Sequence, residues 1–146
     1  MADILLKIGL WGLGLAAIFI GGALAFFGPH AVANFFASGI RLFHDVDIIS
    51  DLATPNIESE LRFFGMMFVF YGAALIQTVR QLDIYASRVP ILLAVFFLAG
   101  LARLKSYIMI GPPHELFTGL MTIELGLPIV LFVLWKIRRK AHLTAA

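Results

Sequence analysis

The sequence has no cysteine. Disulfides, thiolate metal sites, CxxC redox chemistry and a cysteine nucleophile are therefore excluded, and the redox compartment stays open. Charge is scarce as well. Asp, Glu, Lys and Arg make up 14% of the 146 residues, against about 25% in a soluble domain. No phosphate-binding loop, dinucleotide fingerprint or nucleophile elbow is present, and Ser50, Ser59 and Ser106 stand in no catalytic context. The net charge is only +2. The basic residues gather at the C-terminus, which points to a membrane surface and away from nucleic acid.

What the chain does have is long hydrophobic runs. Hydrophobic residues reach 61%, more than a water-soluble domain of this length could hide in one core. A bilayer-spanning helix needs about 20 predominantly apolar residues. Four stretches qualify, at about 4–27, 57–79, 90–110 and 116–135. Gly28-Pro29 stops the first. Thr54 can cap the second, with Pro55 at its first helical position. Gly111-Pro112-Pro113 ends the third. The fourth contains Pro128, which should kink it, and runs into the basic segment 136–146.

The expected fold is all-α: one domain over 1–146, an integral membrane antiparallel four-helix bundle with a short interfacial helix after the first transmembrane helix. Phe35, Phe36, Ile40 and Phe43 share one side of that short helix. A signal peptide cut near Ala31-Val32-Ala33 is the rival reading of the first stretch. Its apolar run exceeds the usual 7–15 residues, which favours a retained helix.

Lys7, Arg80, Arg88, Lys136, Arg138, Arg139 and Lys140 fall on one side of this topology, whereas the loops of the other side carry Arg41. The positive-inside rule then places both termini, with a basic tail over 136–146, in the cytoplasm.

Ionisable side chains inside a membrane are costly and mark functional positions. Arg62 lies near the outer start of the second helix. Arg103 on the third and Glu124 on the fourth each lie roughly 12 Å from the outer end at 1.5 Å per residue. The three charges are expected to share one layer of the outer leaflet. Glu58 and Arg62, spaced i,i+4 with the acid first, form a favourable helical pair. Arg103 and Glu124 form the natural interhelical pair. Ser106 stands one turn above Arg103, and Tyr71 could add a hydroxyl from deeper on the second helix. The charges fix helix register, build a pocket for an amphiphile, or pass a proton or ion through Glu124, the last weakened because the inner halves of the helices hold no comparable acid or base. Its anionic head would meet Arg62 or Arg103, and its tail Phe63, Met66, Met67 and Phe70.

His30, His44, His114 and His142 have no metal-binding spacing. No metal and no cofactor is assigned. The small residues Gly9, Gly12, Gly14, Ala17, Gly21 and Gly22 suit close packing of the first helix. Gly28-Pro29-His30 and Gly111-Pro112-Pro113-His114 form a weak internal echo, consistent with a repeat of two helix pairs or with ordinary helix stops.

Three motifs carry a resemblance: Asn56-x-Glu58-x-Glu60-Leu-Arg62-Phe-Phe-Gly65, Leu101-Ala-Arg103-Leu-x-Ser106 with Gly111-Pro112, and Glu124. Over nearly its whole length the chain resembles a bacterial family of short four-helix membrane proteins, domain of unknown function 4345, with a hydropathy similar to DoxX-like proteins. The resemblance implies four helices, a bacterial inner membrane, and Arg62, Gly65, Arg103, Ser106 and Glu124 as the matching positions. It implies no established activity, although some DoxX-like relatives are associated with quinone-linked redox systems.

The functional expectation is a lipid-embedded binding or accessory protein. It would hold a lipid, a quinone-like molecule, a partner membrane subunit or a second copy through Arg62, Arg103, Glu124, Ser106, Tyr71 and Glu58. A membrane enzyme or redox-complex subunit, and a bundle whose ion pair is only structural, are the alternatives.

Overall fold

The computed structural model describes residues 1–42 and 47–144, and side-chain surroundings as far as residue 141. Phe43, His44 and Asp45, and the side chain of His142, lie outside the described residues. The chain folds as α1 (Ala2–Phe27), α2 (Pro29–Ile40), α3 (Pro55–Arg80), α4 (Leu82–Tyr85), α5 (Val89–Ile110) and α6 (Glu115–Thr144). A 3-10 turn at Ala86–Arg88 joins α4 to α5. Four segments, led by α1, α3, α5 and α6, are long and apolar enough to cross a membrane. They pack as the expected antiparallel bundle. One end of it carries both chain termini and the α3–α5 connection, and is called here the terminal end. The other, the loop end, carries Gly28 and Gly111.

Glycine sets the closest approach. α1 packs most extensively on α3, through Gly14 against Gly72 and Gly21 against Gly65. A Cβ added to Gly21 would stand 2.5 Å from the Gly65 carbonyl oxygen, and one on Gly72 would stand 2.5 Å from the Gly14 carbonyl oxygen. Both pairs sit seven residues apart on each helix, so one face repeats every two turns and the backbones touch without side chains between them. Gly12 and Gly22 face open space. α5 packs on α6, and α1 also meets α6. α3 meets α5 mainly through the stacked rings of Phe68, Tyr71 and Phe96.

The main core belongs to the terminal half, where Leu6 and Leu10 of α1, Leu75 of α3, Val89 of α5 and Leu131 of α6 are buried together. A small second core caps the loop end. There Ala33 and Ala37 of α2 pack with Ile49, Leu52, Leu116 and Phe117. Outward-facing Phe19, Phe70, Ile91 and Leu98 supply an apolar exterior, which a bilayer stabilises and water would not.

Gly28-Pro29 stops α1 at Phe27 as expected, and α2 begins directly at Pro29. Other local expectations change. The face that α2 turns to the bundle is Val32, Ala33 and Ala37, while Phe35 is 69% exposed. Small residues bring α2 close, and its phenyl rings are left for the interface. Thr54 is at the N-cap of α3 but makes no side-chain capping bond. The basic segment after residue 135 is helical over its described length. α6 continues through it to Thr144.

Candidate functional site

Arg103 and Glu124 meet as a direct pair, Nε donating to Oε2 at 2.8 Å. Gly100 makes this approach possible. It lies one turn before Arg103, and a Cβ there would come within 3.0 Å of the Glu124 Cβ. The two partners have unequal surroundings. The Glu124 side chain is 9% exposed and that of Arg103 is 42% exposed. Nη1 and Nη2 of Arg103 have no protein partner among the described residues. The Phe117 ring centroid lies 6.0 Å from its Cζ, at the outer limit of a cation–π contact. The outcome is a guanidinium anchored by one nitrogen and open at the other two, with exposed Lys105 and Ser106 nearer the loop end of the same helix.

Arg62 is placed differently. Its Nε and Nη2 donate to Glu58 Oε1 at 2.9 and 2.6 Å, and its Nη1 donates to the carbonyls of Ala25 at 2.7 Å and Phe26 at 3.1 Å. Those carbonyls belong to the last turn of α1, where no intrahelical donor remains for them. Arg62 thus closes the C-terminus of α1 from α3, with Glu58 holding the guanidinium flat. Gly28 leaves room for both: a side chain there would collide with the Glu58 carboxylate and stand 2.7 Å from Arg62 Nη2, and the φ of +85° also favours glycine.

The six residues therefore separate. Glu58 and Arg62 are together, and Arg103 and Glu124 are together. No hydrogen bond or ion pair joins the two couples among the described residues. Tyr71 is elsewhere, its hydroxyl donating to the Leu92 carbonyl at 2.9 Å in the terminal half. Ser106 is exposed and makes no hydrogen bond among the described residues. Phe63, Met66, Met67 and Phe70 face outward.

The loop end is pinned by polar contacts to backbone. Asn34 of α2 donates to and accepts from Ile49 at 2.9 and 3.0 Å. His114 accepts the Leu116 N–H at Nδ1 (3.1 Å), and its Nε2 is 3.1 Å from the Asp47 carbonyl. Both bonds form together when Nε2 carries the proton. His114 therefore serves the start of α6 and the loop above it.

One cluster is not legible in the spacing. Arg138, with a side chain 6% exposed, donates through Nε to Asp3 at 2.6 Å and through Nη2 to Asp83. Asp3 also pairs with Lys7 at 2.8 Å. Asp3 lies at the start of α1, Asp83 in α4 and Arg138 near the end of α6, so only tertiary packing unites them. The basic run looks uniform along the chain. Helical phase alone distinguishes Arg138, three residues past the buried Trp135. Two open concavities of about 460 and 580 Å³ flank Asp83 at this end, and neither is lined by Arg62, Arg103 or Glu124.

No curated protein and no solved structure matches the chain. The family comparison is positive, and it spans the helices that carry both loop-end couples. Residues 5–135 match the model of the family described as domain of unknown function DUF4345, and the chain belongs to that family.

Proposed function

We propose that this multi-pass membrane protein is a binding or accessory protein that holds the polar head of a lipid or quinone-like amphiphile at Arg103. The carrying observation is the half-open guanidinium: one nitrogen on buried Glu124, two without a protein partner among the described residues, in a segment apolar enough to span a membrane. A charge at that depth is costly unless water, a headgroup or a ligand satisfies it. The second core over Phe117 covers the loop end above it, which favours entry sideways from lipid. Arg62 is occupied at the end of α1 and is assigned a structural part. The setting proposed is a bacterial inner membrane with both termini cytoplasmic. The excess of Lys and Arg at the terminal end supports that orientation.

The test removes the couple as a unit. Replacing only Arg103 would strand buried Glu124, so Arg103→Leu is combined with Glu124→Leu, a change that buried pairs often tolerate. Organic extracts of purified wild-type and double-variant protein are compared for lipids and quinones per mole of protein. The expected result is a folded double variant that has lost a stoichiometric amphiphile. Equal extracts from both proteins would make the couple a helix lock and end the binding reading.

A further inference from the structure

The terminal end presents a second meeting of space and positive charge, independent of Arg103. The concavity of about 580 Å³ lies between the 3-10 turn and α6, lined by Asp83 as well as Ser87, Pro90, Trp135, Arg138 and Arg139. Its floor is fixed. Trp135 Nε1 donates to the Ala86 carbonyl at 2.8 Å, which ties the turn to α6. Buried Arg138 is held between Asp3 and Asp83. One wall is the first turn of α5, which opens at Val89 with Pro90 inside it. The helix runs on here from the 3-10 turn: the Val89 N–H is bonded to the Ala86 carbonyl and Pro90 has no N–H, so positive charge at this wall comes from side chains.

Arg139 supplies the full charge. It is exposed, its Cζ lies 5.5 Å from the Trp135 ring centroid, and it has no acidic partner among the described residues. The hydroxyl of Ser87 is also exposed and without a hydrogen bond among them. The nearby acids are already answered: Asp3 by Lys7 and Arg138, and Asp83 by Arg138. The charge left at the rim is therefore positive, from Arg139 together with Arg88, which stacks on Tyr85 at 3.9 Å.

The location selects the kind of anion. Trp11, Tyr85 and Trp135 gather at this end, as aromatic residues do at a bilayer interface. Exposed Ile91 and Val95 on α5, and Ile129, Val130 and Val133 on α6, continue from the same helix ends toward the middle of the bundle. We infer that this concavity binds the phosphate of an anionic phospholipid, held by the Arg139 guanidinium and the Ser87 hydroxyl at the start of α5, with the acyl chains along the apolar surface of α5 and α6. The headgroup would bridge the α4–α5 turn to α6 and reinforce the Arg138 cluster beneath it.

The test uses the purified full chain and phosphatidylglycerol, with phosphatidylcholine and inorganic phosphate as parallel arms. Retained lipid is counted by native mass spectrometry, and thermal stabilisation is measured for each arm. Phosphatidylglycerol is expected to be retained and to stabilise, while the other two arms do not. Arg139→Gln, an exposed change that leaves the buried cluster intact, is expected to weaken phosphatidylglycerol binding by about tenfold or more, as loss of a charge-assisted contact does. Lys136→Gln removes the same charge from outside the cavity and is expected to cost about fivefold or less. Equal losses in the two variants would reduce the effect to diffuse surface attraction and overturn the site. Equal retention of phosphatidylcholine would overturn the anionic class. Equal stabilisation by inorganic phosphate would overturn the lipid.

Discussion

Gly21 and Gly65 face each other backbone to backbone: a Cβ on Gly65 would stand 2.7 Å from the Gly21 carbonyl oxygen, and one on Gly21 would stand 2.8 Å from the Val69 nitrogen. The obstructing atoms are main chain and cannot rotate away. Gly65→Val is therefore expected to separate α1 from α3 and to cost about 3 kcal/mol or more, as overpacking a rigid contact does. Gly22→Ala, into open space, should be neutral or up to about 1 kcal/mol stabilising through helix propensity. Unfolding in detergent, followed by circular dichroism, checks both. Similar losses in the two variants would remove the close-approach explanation.

Arg62 supports the end of α1 through two carbonyls and the Glu58 carboxylate. Arg62→Leu is expected to lower stability by about 1–3 kcal/mol, the range for hydrogen bonds to a charged group. Amide exchange should rise around residues 24–28, with little change in α6. Lysine restores the charge but not the fork. Arg62→Lys should recover only part of the protection, and full recovery would show that charge alone suffices.

The Arg138 cluster makes a non-additive prediction. Arg138→Met alone leaves Asp3 and Asp83 without their guanidinium and is expected to cost about 1.5–3 kcal/mol, the range for losing hydrogen bonds to charged groups, because both acids reach solvent and Asp3 keeps Lys7. The triple variant Asp3→Asn, Asp83→Asn, Arg138→Met removes all three of these charges, leaves only the part-exposed Lys7, and should be more stable than the single variant. Thermal melts of the four proteins, wild type and double-Asn variant included, decide it. A triple variant weaker than the single would contradict the charge argument.

Thr78 of α3 is buried, and its Oγ1 has no hydrogen-bond partner among the described residues. An unsatisfied hydroxyl in an apolar core is destabilising. Thr78→Val keeps the branched shape and removes the hydroxyl, so it is expected to raise stability by about 1–2 kcal/mol. A lower melting temperature would indicate that the hydroxyl has a partner in the membrane, such as water.

The four long helices, their antiparallel order and the Glu58–Arg62 and Arg103–Glu124 couples follow from the sequence. Apolar length, Gly–Pro punctuation and charge spacing are local properties, and a bilayer leaves few other ways to arrange them. The tertiary structure decided the rest. It alone sends Arg62 to the end of α1, Tyr71 to Leu92 and Arg138 to Asp3 and Asp83, and it alone opposes Gly14 to Gly72 and Gly21 to Gly65. Each of these depends on how neighbouring helices are rotated about their axes and slid past one another. That rotation and offset are fixed by summed packing over many side chains, which no single motif along the chain encodes.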